Sequence, residues 1–194
     1  CVNDLSLATV NILAQPDAGT NGATTVCETD ITPIDLYSLI TGEQPGGTWV
    51  RSTGTGGTFN AAAGTYAAAV GATTSTFTYT LTATAPCTNV SSVATVNINT
   101  QPDAGTNGST TVCETSSTAI NLSSLITAEQ PGGTWVRSTG TGGTFNAAAG
   151  TFTPALGATT STFTYTVNGL APCGSDSSLA TVNILAQPDA GTNG

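Results

Sequence analysis

The residues with the most chemical potential in this chain are its five cysteines, which fall into two sets at a fixed interval. Cys27 and Cys113 stand 86 residues apart, and the same interval separates Cys1, Cys87 and Cys173. With two cysteines per interval and nothing beside them that looks like a metal-ligand set, the arithmetic points to bridges Cys27–Cys87 and Cys113–Cys173. Cys1 is left unpaired, its partner expected upstream of the sequence in hand. The competing reading keeps the same residues as reduced thiols, buried as small apolar groups. A bridge closing a loop of about 60 residues stabilises by about 4 kcal/mol on the chain-entropy model. That is a large share of what a small domain has, at roughly 0.05–0.15 kcal/mol per residue. Disulfides also imply an oxidising compartment, hence export to the cell surface or beyond. An N-terminal cysteine can instead be the acylated residue of a lipoprotein. Cys1, however, is in register with Cys87 and Cys173, which cannot be N-terminal.

Three other groups of residues invite a chemical reading. Trp49 with Arg51, and Trp135 with Arg137, could form a sugar-binding platform; the alternative is a core Trp beside an edge Arg paired to Glu43 or Glu129. One aromatic per repeat along a rod would suit weak multivalent glycan binding. Asp17 and Asn21 in residues 15–22, with Asp103 and Asn107 in residues 101–108, sit where extracellular modules hold calcium. One carboxylate and one amide are few ligands against the six to eight oxygens calcium takes, and Asx and Gly turn chemistry explains the segment equally. The string TGTGGT at 53–58 and 139–144 lacks the Lys and the following helix of a phosphate-cradling loop, and reads as a hairpin connection.

Catalysis finds no foothold. The chain has no Lys and no His, and the carboxylates are scattered. Asp30 becomes Ser116 and Asp35 becomes Asn121 one interval on, so acids are not kept where an active site would need them. The expectation is a protein that is not an enzyme, with no cofactor and no metal. Absence of Lys also excludes Lys–Asn isopeptide cross-links. Asn89, Asn107 and Asn121 fit N-glycosylation sequons, a pattern that arises by chance in a chain rich in Thr and Asn.

These residues are positioned by a repeat. QPDAGTNG occurs at 15–22, 101–108 and 187–194, and residues 15–100 align with 101–186 without a gap, about three quarters of positions being identical. A unit of 86 residues is a small domain rather than one turn of a solenoid. The expected organisation is therefore the last strand of a truncated preceding repeat at 1–14, whole repeats at 15–100 and 101–186, and the start of a following repeat at 187–194. Substitutions gather at 30–37, 66–70, 81–84 and 88–93, while the block GGTWVRSTGTGGTFNAAAG is untouched. Its invariance fits packing against a neighbouring repeat or chain, or recent duplication.

Composition narrows the partners. Charged residues are 7% of the chain, the only cations are Arg51 and Arg137, and formal net charge is −9. Nucleic acids and anionic membranes need basic patches, so neither is expected as a partner. No apolar run approaches the roughly 20 residues needed to cross a bilayer.

Within each repeat, short apolar alternations broken by Gly, Pro and Asn predict an all-β sandwich of about seven strands. In 75–83, Phe77, Tyr79 and Leu81 point one way and Thr76, Thr78, Thr80 and Thr82 the other; Phe163, Tyr165 and Val167 repeat the pattern. In 92–99, Ala94, Val96 and Ile98 share a face. Further extended segments are expected at 24–28, 34–40, 47–52, 56–60 and 64–69, with a turn at 44–47. The order Cys, Trp, Cys within each repeat resembles the immunoglobulin-like plan. Its spacing departs from antibody domains, and the second cysteine falls after its strand. That favours a bridge from the first strand to the last turn, at one end of the domain.

The strings at 40–80 and 126–166, with the APC…SSVATVNI…QPDAGTNG run, resemble immunoglobulin-like tandem repeats of giant Bacteroidota cell-surface proteins, especially flavobacterial gliding-associated adhesins. The resemblance spans almost the whole chain. It implies export by the type IX secretion system and display as a long stalk or surface filament, and it carries over no catalytic or ligand residue. The combined expectation is a structural repeat segment of an extracellular fibre or adhesin stalk, its partners neighbouring repeats or identical chains. The rival expectations are a multivalent glycan-binding module and a subunit of a multi-chain filament.

Overall fold

A computed structural model describes residues 3–188 and Gly191. Cys1, and with it the expectation that it is unpaired, lies outside the described residues, as does most of 187–194, where the start of a following repeat was expected. The chain divides into two compact units, residues 1–99 and 100–194.

The first unit carries seven strands: β1 (Gly22–Cys27), β2 (Ile34–Asp35), β3 (Thr48–Thr53), β4 (Thr58–Asn60), β5 (Thr65–Ala67), β6 (Ser75–Leu81) and β7 (Val90–Asn99). They form two sheets, ordered β1-β7-β6-β3 and β2-β5-β4. The second unit repeats this with β8 (Gly108–Cys113), β9 (Ile120–Asn121), β10 (Thr134–Thr139), β11 (Thr144–Asn146), β12 (Thr151–Thr153), β13 (Ser161–Val167) and β14 (Asp176–Leu185). Its sheets are ordered β10-β13-β14-β8 and β11-β12-β9. No α-helix occurs among the described residues. Each unit is an immunoglobulin-like β-sandwich, one four-stranded sheet facing one of three strands.

The alternation read from the sequence places the core. Phe77 and Tyr79 are fully buried and Leu81 nearly so, with Ala94 and Val96 of β7 beside them. Phe77 joins the two sheets, its ring centroid 5.0 Å from Tyr66 of β5 and 4.9 Å from Phe59 of β4. The opposite face of the four-stranded sheet is tied by hydroxyls in place of charges: Thr53 to Thr76 at 2.8 Å and Ser52 to Thr78 at 2.6 Å. Cross-strand pairs of this kind contribute roughly 0.2–1 kcal/mol each.

Two expectations fail locally. Residues 34–40 are extended only over β2; Leu36–Ser38 then turn as a single 3-10 helix. The Asp35 carboxylate accepts from the Tyr37 amide at 3.0 Å, and the Leu36 amide donates to the Gly64 carbonyl at 2.9 Å, which satisfies the backbone without a ladder. The second failure is at 3–14, where no strand forms and Leu5, Leu7, Val10 and Ile12 are exposed. Nearly the same sequence is β14 at 176–185, flanked there by β13 and β8. Among the described residues no strand pairs with 3–14, and strand formation depends on such pairing.

Candidate functional site

The direction of one strand pair decides what the cysteines can do. β1 runs parallel to β7, in a register that sets Gly22 opposite Ala94 and Cys27 opposite Asn99. Cys27 is thus at the trailing pole of its unit, where β7 ends. Cys87 lies in the turn before β7 begins, at the leading pole, where its thiol approaches the Leu13 and Ala14 carbonyls and its neighbour Thr88 exchanges hydrogen bonds with the Gln15 side chain. The ten residues of β7 separate the two poles, a span of roughly 30 Å at about 3.3 Å per residue. A disulfide needs Cα atoms within about 7 Å. The second unit has the same geometry, with Cys113 opposite Leu185 and Cys173 in the turn before β14.

The expected bridges Cys27–Cys87 and Cys113–Cys173 are therefore absent. Cys87 and Cys113 are free thiols, whereas Cys27 and Cys173 are disulfide-bonded. Cys27 and Cys173 are buried, Cys87 is half-buried and Cys113 exposed. The expectation that the bridge ties the first strand to the last turn fails with the assumption that those two elements meet at one end.

The trailing pole also carries groups that sequence reasoning did not single out. Glu114, next to Cys113, is buried although charged. Its two carboxylate oxygens accept from the Gln187 amide at 2.7 Å and the Gly157 amide at 2.8 Å. Those bonds, the Gln187 amide first, hold its pKa below the ordinary carboxylate value against the opposing effect of desolvation. Glu28 occupies the same place in the first unit and accepts from the Gly71 amide at 2.7 Å. A signal existed in the sequence: Glu28 and Glu114 are the same residue in both repeats while Asp30 and Asp35 change. The Thr115 hydroxyl lies 3.1 Å from the Cys113 thiol, and with the Thr115 amide it lowers the thiol pKa. Thr29 donates to Cys27 sulfur at 3.3 Å in the equivalent position.

The leading pole is held by amides. Gln101 Nε2 donates to the Gly174 carbonyl at 3.2 Å, matching the role of Gln15 in the first unit. Asp17 and Asp103 each accept from the amide two residues on, at 2.8 Å, as Asx turns. Asn21 and Asn107 accept from the Val93 and Leu179 amides, also at 2.8 Å, pinning the lead-in to the long last strand. Among the described residues no group of three or more His, Cys, Asp or Glu side chains converges on one point.

Trp49 and Trp135 are core residues, 3% and 7% exposed. Trp49 packs on Tyr79 at 5.1 Å, and a side-chain carbon at Gly64, whose φ is +66°, would lie 2.8 Å from the indole nitrogen. Arg51 is not paired to Glu43. Its guanidinium donates to the Gly56 carbonyl at 2.7 Å and to Ser75 Oγ at 2.6 Å, and lies over the Tyr66 ring at 5.3 Å. Arg137 does the same with Gly142, Ser161 and Phe152. Trp49, Arg51 and Gly56 belong to the invariant block, as do Trp135, Arg137 and Gly142, so part of that invariance is explained inside each unit: Arg51 stitches the 53–58 loop to β6. No cavity opens among the described residues.

No protein-family model matches the chain, and none of the curated proteins does. Solved structures are similar in outline. A titin I-band fragment, I67–I69, is 14% identical with a TM-score of 0.46, covering 90% of this chain and 67% of its own. Human protocadherin-24 EC1-2 is 11% identical with a TM-score of 0.44, covering 86% and 95%. The insect immune protein hemolin is 10% identical at 0.43, covering 90% and 46%. The assignment to the immunoglobulin-like class rests on the strand order and register of each unit.

Proposed function

We propose that this chain is a structural repeat segment of an extracellular surface fibre or adhesin stalk, with residues 15–100 and 101–186 as its repeating units. One observation carries the reading: two sandwiches of closely similar sequence turn several of their few charged side chains, and paired amides, to holding their own main chain. Arg51, Glu114, Asp17 and Asn21 each bond backbone groups of their own unit. What is kept from copy to copy is geometry, which is what a spacer must keep. The cysteines and the low charge accord with export and with a life outside the cell. Neighbouring repeats are the principal partners, and display through type IX secretion by a member of the Bacteroidota follows from the sequence resemblance. The glycan-binding alternative loses its anchor, because both indoles are in the core.

Electron microscopy of the native material, joined with small-angle scattering of the purified chain, tests this. Beaded surface fibres with an axial repeat of one sandwich are expected, and monomeric particles in dilute solution. A compact soluble protein inside the cell would overturn the reading. Ordered multi-chain fibres assembling from the purified chain would replace the stalk with a filament subunit.

A further inference from the structure

We propose that Asn168 is a site of spontaneous covalent modification. Its side-chain amide condenses with the backbone nitrogen of Gly169 and hydrolyses to aspartate or isoaspartate, while the fold protects Asn21 and Asn107 from the same reaction. Asn followed by Gly is prone to this chemistry, because glycine has no side chain to hinder ring closure. The chain holds such pairs at 21–22, 107–108, 168–169 and 193–194, the last outside the described residues.

The first two pairs are locked. Asn21 Oδ1 accepts from the Val93 amide and Asn107 Oδ1 from the Leu179 amide, at 2.8 Å each. Gly22 opens β1 and Gly108 opens β8, each paired with the long last strand of its unit, opposite Ala94 and Ala180. A side-chain carbon at either glycine would lie 1.7 Å from a backbone carbonyl oxygen, that of Leu39 or of Leu125. Glycine is there to let two stretches of main chain pass closely. Ring closure at Asn21 or Asn107 therefore has to break a bond to the neighbouring strand and bend the first residue of a ladder.

Asn168 is held by less. It follows Val167, the last residue of β13, in the turn that leads to β14, and it is exposed. Its Oδ1 accepts from Ser175 Oγ at 3.2 Å, a hydroxyl of the same turn. Gly169 is required by packing, since a side-chain carbon there would meet the Gly174 carbonyl oxygen at 2.4 Å and that of Cys173 at 2.7 Å. The first repeat shows what is missing. It has Thr82 and Ala83 in these places, and the Ala83 amide donates to Asn89 Oδ1 at 2.9 Å. The counterpart of Asn89 is Ser175, whose shorter side chain turns to Asn168. The Gly169 nitrogen, which is the attacking atom, is left without that clamp.

The Gly169 nitrogen adds to Asn168 Cγ and gives up its proton. The bond from Cγ to Nδ2 breaks, and ammonia leaves with that proton. Water then opens the five-membered imide. Cleavage between the nitrogen and Cγ yields aspartate; cleavage between the nitrogen and the Asn168 backbone carbonyl carbon yields isoaspartate. Nothing is oxidised or reduced, and water is the co-reactant. Either product is a carboxylate at neutral pH, so the leading pole of the second repeat gains a negative charge that the first does not.

Incubating the whole chain at mildly alkaline pH, native and in denaturant, tests this. Tryptic mapping follows, after reduction of the disulfides. Cleavage after Arg51 and Arg137 puts Asn21, Asn107 and Asn168 on separate pieces, and fragment-ion spectra distinguish Asn168 from Asn193. Labelled methyl transfer by a protein isoaspartyl methyltransferase measures the isoaspartate. In the native protein Asn168 should react at least about tenfold faster than Asn21 or Asn107, whose reaction waits on local opening of a strand, and in denaturant the three rates should converge. Ser175→Asn should slow the native reaction by restoring the clamp on the Gly169 amide, with the parent rate kept in denaturant. Equal native rates at the three sites, a preference for Asn168 that survives denaturant, or a native Ser175→Asn rate equal to the parent's would each overturn the proposal.

Discussion

Where the first repeat places Tyr37, the second has Ser123, and the two cores settle differently around their tryptophans. Tyr37 stands edge-on to both Trp49 and Tyr79, with ring centroids 5.4 Å away in each case. In the second repeat the Trp135–Tyr165 pair persists at 5.0 Å without a third ring, and Trp135 is slightly more exposed than Trp49. Tyr66 becomes Phe152 and Leu81 becomes Val167, yet the register of the sheets is unchanged, Trp49 facing Tyr79 and Trp135 facing Tyr165. Several residues that bond main chain do not change: Arg51 and Arg137, Ser75 and Ser161, Asn21 and Asn107. The frame is fixed by polar groups directed at the backbone, and the apolar residues need only fill it to adequate density.

The sharpest test of this comparison is truncation of the indoles. Trp49→Ala should cost about 3–5 kcal/mol. Trp135→Ala should cost less by about 1 kcal/mol, because no third aromatic ring is lost. Hydrogen exchange resolved by repeat measures both, and equal losses would break the contrast. A smaller effect is expected at the turn before the proline loop, where Gly42 has φ +82° and its counterpart Ala128 is held at φ +65°. Left-handed backbone penalises a side chain, so Ala128→Gly should stabilise the second repeat by about 1 kcal/mol and Gly42→Ala should weaken the first by a similar amount. Thermal melts of the two single variants check the opposite signs.

The smallest effect concerns acid. Glu114 has its folded-state pKa lowered, so its contribution is present above the unfolded carboxylate pKa and is lost as pH falls through the folded value. Glu114→Gln should therefore melt lower than the parent at neutral pH, and the gap should close on acidification below the carboxylate range. A gap independent of pH would show that the two backbone bonds do not depend on the charge.

Much of the sandwich was legible. A period of two is a property of the chain itself, so β6, β7 and their buried faces could be read from Phe77, Tyr79, Ala94 and Val96. The Asx turns at Asp17 and Asp103 were legible for the same reason, being local. The cysteine pairing was not. Spacing tells how far apart two residues are in sequence, but only the direction of the β1–β7 pair tells whether Cys27 meets the start or the end of β7. An antiparallel pair would have brought it toward the Cys87 turn; the observed parallel pair carries it to the far pole. Residues 34–40 were misread because the cap from Asp35 and the bond to Gly64 are a local and a distant contact that no alternation announces. Arg51 was assigned a carboxylate partner for want of any view of the Gly56 carbonyl and Ser75, which the fold brings to it.

The strands of the larger sheet are laced on their outer side by neutral hydroxyls, Ser52 with Thr78 and Thr53 with Thr76, and Ser138 with Thr164 in the second repeat. Dissolved ions weaken attraction between exposed charges but have nothing to shield in a bond between two alcohols. Fresh water and brine should therefore leave these seams equally strong.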